Sequence, residues 1–463
     1  MVDSQAKQLN EAIAAACPAV MDLLSRKGRE IYFPKLGILS QSAEAQGKAI
    51  NATIGIALEE DGTPMHLACV MRRVHLSPSQ AVSYAPSLGT PDIRKQWKAM
   101  LGKKNSGLTL KTFSLPVVTS ALTHGLSTCG YLFCDPGDAI ILADLFWENY
   151  ELIFSRACGA RLDAFAMFTE QGRFNVEGLR TRLMAGKVGK KIVCLNFPNN
   201  PTGYTPTIEE ARAITAVLGE SAERGNKLVV LVDDAYFGLV YERSVFPESI
   251  FGLLCDLHPN LLAVKVDGPT KEEYVWGFRV GFITYGIRGG TPAVYEALEA
   301  KTGGAIRGNI SNAANVSQSL LLSAYSDGTY ATEKRAKYEL LRSRYERVKQ
   351  ILAAHPEYTQ EFVALPFNSG YFMCVRLRHA DPEQVRQKLL TDYATGVIAM
   401  SGIVRLAFSA VPLEQLPVLF ANLFRAARGM FKARRRMPDA RRRTERRTKV
   451  TAQGLPPDQE TRL

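Results

Sequence analysis

Between about residues 90 and 300 the chain alternates short apolar runs with longer stretches of helical spacing. Ala139-Ile140-Ile141-Leu142, Lys191 to Leu195, Lys227 to Val232 and Leu262 to Val266 read as strands. Each is a continuous apolar run of strand length rather than an alternating one, as expected of strands covered on both faces. Segments such as Ile208 to Glu223 carry helical periodicity between them. Strand and helix in alternation predict an α/β architecture, a mostly parallel sheet with helices on both sides. Upstream, Leu9, Ile13, Ala16, Val20, Leu23 and Leu24 predict an amphipathic helix within residues 1–27, followed by an extended stretch from Ile31 to Leu39. Downstream, a charge-laced helix is expected from about Thr332 to Ala353, leading into a smaller α+β region that ends near residue 428.

No apolar run is long enough for a membrane span. The N-terminal pattern is interrupted by Asp3 and Glu11 and lacks a basic leader, so it does not read as a signal peptide. The net charge of +12 suggests a nucleic-acid partner until its distribution is considered. Eleven basic and four acidic residues in 430–463 supply +7 of it. That tail has few large apolar residues and is expected to be disordered beyond the last helix. Its arginine clusters allow weak electrostatic contact with nucleic acid, but no folded reader accompanies them. The eight cysteines form no C-x-x-C pair and the six histidines no metal-binding spacing. Reduced thiols in a cytoplasmic protein and no metal are the expectation.

The polar residues that punctuate the strand ends carry the chemistry. Lys271 lies in Asp267-Gly268-Pro269-Thr270-Lys271, and Arg279 follows within Gly277-Phe278-Arg279-Val280-Gly281. Beside the Arg279 cation, the lysine's ammonium form would be disfavoured and its nucleophilic amine favoured. Asp233 ends the run Leu228 to Val232, where a partly buried carboxylate requires a cationic partner. A protonated pyridine nitrogen supplies one; Asp234 is the better candidate for a helix cap. Tyr236 is spaced to hydrogen-bond a phenolic oxygen. Asn199-Asn200-Pro201-Thr202-Gly203 is a turn after a strand, with an amide free to point at a ligand. Thr119-Ser120-Ala121-Leu122-Thr123 opens an apolar helix, where backbone N–H groups suit a phosphate. Trp147 can stack on a ring, although an isolated tryptophan more often packs in a core. An amine, a carboxylate, a phenol, an amide and a guanidinium in this order can hold pyridoxal 5'-phosphate (PLP) as an electron sink, with Lys271 as its Schiff-base partner. The amine next in line would be Lys265.

From about Asn51 to Phe420 these segments resemble the class I aminotransferases of PLP fold type I, nearest the aspartate and aromatic aminotransferase branch. The resemblance rests on N-P-T-G at Asn200-Pro201-Thr202-Gly203, D-x-A-Y at Asp233 to Tyr236, and the lysine–arginine spacing of Lys271 and Arg279. It implies an N-terminal arm joined to the small domain (1–60), a large PLP-binding domain (61–330), a small C-terminal α+β domain (331–430) and the basic tail (431–463). It also implies further site residues. Asn51 to Gly55 is similar to the segment whose glycine, here Gly55, touches the substrate carboxylate. Ser83 to Gly89 is similar to the loop whose tyrosine, Tyr84, reaches the neighbouring subunit's cofactor phosphate. Trp147 and Asn149 match the ring-stacking segment, and Asn200 the amide to the phenolic oxygen. Arg405, in Gly402 to Ala407, matches the arginine that clamps the α-carboxylate. Ile306 to Asn312 is similar to the segment whose arginine, Arg307, is donated by the other subunit to a side-chain carboxylate. A homodimer with shared active sites is therefore implied.

Two positions depart from the family pattern. Gly268 stands where a serine is usual three residues before the lysine, and the phosphate turn S-G-[ST] is Ser120-Ala121-Leu122. Thr270, Ser120, Tyr84 and Arg279 remain to compensate. Transamination of an aspartate-like, glutamate-like or aromatic amino acid with a 2-oxo acid, by ping-pong kinetics, is the leading expectation. A PLP-dependent lyase or decarboxylase on the same fold is the first alternative. A PLP-sensing DNA-binding regulator is the second, but the first 50 residues are too short for a DNA-binding module.

Overall fold

The computed structural model describes residues 2–34, 37–400 and 402–435. The expected basic tail lies outside the described residues from position 436 on. A seven-stranded sheet forms the centre. Its strands in chain order are β1 (Val117–Thr119), β2 (Ala139–Ala143), β3 (Arg161–Phe165), β4 (Lys190–Asn196), β5 (Lys227–Asp233), β6 (Leu261–Asp267) and β7 (Gly281–Gly286). In space they run β1-β7-β6-β5-β4-β2-β3. β7 is antiparallel to both of its neighbours, and the other pairs are parallel.

The continuous apolar runs are explained by two separate cores. Val193 and Leu195 of β4 enter one core, and Ile192 and Cys194 enter the other. The helix Ile208–Glu223 covers the first face through Ile214, Val217 and Leu218, and α1 (Ala121–Phe133) covers the second through Leu122, Leu126 and Cys129. The Ile208–Glu223 helix starts where its sequence says it should. The Thr207 hydroxyl accepts from Glu210 N, and Glu210 accepts in return from Thr207 N at 2.9 Å.

A second, four-stranded antiparallel sheet is built from Phe362–Ala364, Phe372–Leu377, Ile398–Met400 and Ile403–Ala407. The long helix Tyr330–Ala354 packs near it through Leu341, Tyr345, Val348 and Ile351, one side chain per turn. Its Arg344, fully buried, bonds Glu60 and the Ser409 carbonyl. Residues Ile50 and Asn51 pair in parallel with Thr395 and Gly396, so the N-terminal arm returns to the C-terminal part of the chain.

Two local expectations are corrected. The first 27 residues are not one helix: Ser4–Ala16 stops at Cys17, and Pro18–Leu23 begins anew. A residue before proline is pushed out of the α region, and Cys17 has φ −156°. The extended stretch does not reach Leu39: Gly37 is still extended, but Ile38–Glu44 is helical. A tertiary contact accompanies this turn. Gln41 donates to Ala399 O at 2.9 Å and accepts from Ala399 N at 2.8 Å. Among the described residues, no helix is long and apolar enough to cross a membrane, and no group of three His, Cys, Asp or Glu is placed to hold a metal.

Candidate active site

The carboxyl ends of β4, β5 and β6 open into a cavity of about 430 Å³, which the second sheet closes with Phe372 and Arg405. Strand ends are where an open α/β sheet leaves room for a ligand.

Asp233, the last residue of β5, is buried at its floor. Tyr150 donates to its Oδ2 at 2.5 Å, and Ala235 N donates to Oδ1 at 3.2 Å. Its register partner on β4, Asn196, donates to the Asp233 carbonyl and accepts from Asn200 N at 2.8 Å. Burial pushes the Asp233 carboxyl up to about 6, against the pull of the Tyr150 hydrogen bond. Across the cavity, Lys271 follows the turn after β6. Tyr371 holds the Lys271 carbonyl at 2.6 Å, and Nζ lies 5.3 Å from the centroid of the Tyr236 ring. Burial, then the Arg279 charge, lower the amine to about 8, with Asp233 opposing. A substantial fraction of the amine is thus neutral near physiological pH.

Arg405, on the strand Ile403–Ala407, is 2% exposed. Its guanidinium lies 4.3 Å from the Phe372 ring centroid. It donates to Thr53 O at 3.0 Å and to Asn200 Oδ1 at 3.2 Å, and its Nε has no partner. Among the described residues it makes no ion pair, so a buried cation faces the cavity without a carboxylate of its own.

At the other end, α1 begins just after Ser120. Ser120 N donates to His124 Nδ1 at 3.0 Å, which takes up one of the N–H groups expected for phosphate. Burial lowers the pKa of His124, and its Nε2 is unpartnered. Ala121 has φ +62°, the left-handed region that favours glycine. The Thr270 hydroxyl is buried without a partner. The two family departures meet in space. A Cβ on Gly268 would lie 2.7 Å from Val280 O and 3.3 Å from Leu122 Cδ1.

Gly55, Ala121, Leu122, Trp147, Asn200, Asp233, Tyr236, Thr270, Lys271, Arg279 and Arg405 line this one cavity. Ser120 adjoins it. Tyr84 and Arg307 are not brought in. Tyr84 is 92% exposed beside a separate polar recess, and Arg307 is exposed and bonded to Ser311. Asp234 caps no helix: it is buried and paired with Lys265. Lys265, the second candidate amine, is enclosed by that pair and does not line the cavity.

Sequence reasoning missed Tyr150, Asn196, Tyr371 and His124, and also Ile38, Leu39 and Ser42 at the cavity mouth. Only Tyr150 left a trace, one helical turn after Trp147, whose ring it meets edge-on at 5.8 Å. A buried carboxylate with no cation bound to it, a partly neutral amine, an unpartnered hydroxyl and an unpaired guanidinium suit a phosphorylated aromatic carbonyl compound and a second ligand bearing a carboxylate.

The model of the family "Aminotransferase class I and II" matches residues 48–423. The chain belongs to that family. Its members use pyridoxal 5'-phosphate, whose ring, carbonyl and phosphate answer the features above. Among curated relatives of this aminotransferase-family chain, the probable N-acetyl-LL-diaminopimelate aminotransferase of Bacillus subtilis is 27% identical over 263 residues, 56% of this chain and 61% of the relative. The aspartate aminotransferase of Geobacillus stearothermophilus is 25% identical over 248 residues, 53% of this chain and 59% of the relative. The chain thus spans about three-fifths of the length of these two relatives. A crystal structure of an aminotransferase from Anaerococcus prevotii matches the fold with a TM-score of 0.77 at 23% identity, covering 88% of this chain and 99% of that one.

Proposed function

We propose that this protein is a PLP-dependent aminotransferase that moves an amino group between an L-amino acid and a 2-oxo acid by a ping-pong mechanism. The observation that carries the reading is Arg405, a buried guanidinium with no ion-pair partner among the described residues, in the same cavity as Lys271 and Asp233. When bound, PLP supplies an electron sink that stabilises negative charge at the substrate Cα.

The chain's own residues divide the remaining work. Asp233, held ionised by Tyr150, keeps a proton on the ring nitrogen. Asn200 and Tyr236 would hold the phenolic oxygen, and Trp147 would pack against the ring. Thr270, Arg279, Ser120 and the start of α1 at Ala121 and Leu122 hold the phosphate. Arg405 and Gly55 hold the substrate α-carboxylate. Lys271 binds the cofactor at rest and, once free, takes the proton from Cα. An amine brought to about 8 is matched to that task near neutral pH.

The substrate class is an aspartate- or glutamate-like or aromatic amino acid. Arg307 supports an acidic side chain if it is supplied across a subunit boundary, and relatives named aspartate aminotransferase support the same choice. A homodimer follows, with Tyr84 and Arg307 completing the partner's pocket. The unpaired cysteines, most of them buried, support a cytoplasmic location.

A stoichiometric half-reaction tests the activity. Loaded enzyme is mixed with each of a panel of amino acids. Conversion of the visible band to that of pyridoxamine phosphate, with an equal yield of 2-oxo acid, is expected. Release of ammonia or carbon dioxide with PLP retained would instead establish a lyase or decarboxylase.

A further inference from the structure

Directly behind the site lies a cluster of buried charge that the chemistry above does not use. Lys265 is 0% exposed. Its ammonium pairs with Asp234 Oδ2 and lies 3.4 Å from Asp267 Oδ2. It also sits 4.4 Å from the centroid of the Phe237 ring. Asp234 accepts from the Ser249 hydroxyl at 2.5 Å, and Asp267 accepts from Trp97 Nε1 at 3.1 Å. The two carboxylates are not placed at random. Asp234 directly follows Asp233 at the end of β5, and Asp267 ends β6, four residues before Lys271. One ammonium therefore ties together the two strand ends that carry the carboxylate and the amine of the site.

Stability alone is a poor reason for such a cluster. Burying one cation between two anions costs desolvation, and apolar side chains of the same volume commonly do as well or better. Its location gives a better one. The titratable groups facing Asp233 are Tyr150, Cys194, Tyr236, Asp234 and Lys271. Burial holds the two phenols and the thiol in their neutral forms, and it raises the Asp234 carboxyl too, with the Lys265 ammonium favouring the charged form, so Asp234 is the group among them that Lys265 keeps an anion. Unpaired, its charge would oppose ionisation of Asp233.

We propose that Lys265 is a positioning residue for the reaction: it fixes Asp233 and the Lys271 turn relative to each other and offsets the charge of Asp234 next to Asp233. This rests on the aminotransferase reading of the site.

The test uses full-length protein, loaded and cofactor-free, with Lys265→Met, Lys265→Met/Asp234→Asn and Asp234→Asn. In Lys265→Met, kcat should fall roughly tenfold with little change in KM, and the acid limb of its pH profile should move up by about one unit, the size of shift that one nearby charge produces. The double variant should return the limb to its original position. Asp234→Asn alone, which leaves Lys265 on Asp267, should move it down, and this arm stands even if Lys265→Met does not fold. In cofactor-free protein, Asp233 is raised on folding to about 6, so stability should fall as pH rises from about 4 to 6, and the upper edge of that fall should move with the acid limb, alongside the buried Asp234 and Asp267 carboxyls that are raised in the same direction. A limb that stays in place in all three variants, with only stability lost, would overturn the proposal and leave Lys265 a structural ion pair. Failure of the unaltered enzyme to transaminate would sink the functional reading instead, while the cofactor-free titration would still decide the role of Lys265.

Discussion

The Tyr150 hydroxyl and the Asp233 carboxylate form a 2.5 Å hydrogen bond in a buried setting, 83 positions apart in sequence. The phenol is the donor that favours the charged carboxylate there, against the effect of burial. Replacing Tyr150 by Phe should therefore raise the pKa of Asp233. A hydrogen bond to a charged group contributes about 1.5–3 kcal/mol, so the acid limb of the kcat profile should rise by about one to two pH units, and activity at pH 7 should drop between about two- and fifteenfold. A pH–rate profile like that of the wild type would show that Tyr150 has no such part.

Lys271 should weaken the cofactor-free fold that it equips for catalysis. Its folded pKa of about 8 lies below the ordinary lysine value of 10.5. Below pH 8 the ammonium is buried at a cost of up to about 3 kcal/mol, and stability recovers as pH rises from 8 to 10.5, where the unfolded chain binds more protons. Lys271→Met should therefore be more stable than wild type in denaturant melts at pH 7, with the gap closing towards pH 10.5. The same variant should lose the visible band of the loaded enzyme and all turnover. An unchanged melt at pH 7, or a variant that keeps band and turnover, would contradict the assignment.

The phosphate turn offers a pair of opposite outcomes. Ala121 holds a left-handed conformation that costs an L-residue about 1–2 kcal/mol, so Ala121→Gly should stabilise the protein by up to about 1 kcal/mol. Gly268→Ser, which restores the residue usual in the family, should instead destabilise it by about 1–3 kcal/mol. The nearest obstacle to a Cβ there is the Val280 carbonyl, part of the backbone, so adding Leu122→Ala should not rescue it. Thermal melts of the three variants distinguish these cases.

Arg405→Lys keeps the charge but loses the planar fork. It should lower kcat/KM for the amino acid about 100-fold while the resting absorbance of bound cofactor stays the same. Loss of the absorbance band would place Arg405 at the cofactor instead.

Subunit sharing is open to complementation. Chains carrying both Tyr84→Phe and Arg307→Ala should regain activity when mixed with Lys271→Ala chains, because each heterodimer holds one intact site. Heterodimers that form but stay inactive would mean that each chain completes its own pocket.

What could be read in advance follows the range over which each signal acts. β5 was legible because an unbroken apolar run needs cover on both faces, whatever lies elsewhere in the chain, and β6 because its run is interrupted only by Lys265. Asp233 and Lys271 stood out because a charge at the end of such a run requires a partner. Arg405 was different: in Ile403-Val404-Arg405-Leu406-Ala407 it looks like a charge on an otherwise apolar strand, and only the family pattern drew attention to it. Tyr150 and Tyr371 left almost no signal, since their partners are 83 and 100 residues away and a tyrosine in an apolar stretch reads as packing. The helix Ile38–Glu44 was missed for a related reason. Its contact through Gln41 to Ala399 bridges 358 positions, and nothing local announces it. Asp234 was misassigned because a carboxylate after a strand resembles a cap until Lys265, on the neighbouring strand, is seen to claim it.

Arg405 and Lys271 belong to different sheets, and this separates two properties that many enzymes keep together. In the function proposed above, the central sheet would carry the groups that pull on a proton, and the smaller one the grip on the molecule that loses it. The span between grip and base would then depend on how the smaller sheet is seated, where Asn200 from the central part and Thr53 from the N-terminal arm meet the guanidinium. On that reading, a slight tilt there would lengthen or shorten the reach for a substrate without replacing the groups that handle the proton. Selection for a new amino acid would then have a route through the seating of the smaller sheet that replaces neither Lys271 nor Asp233.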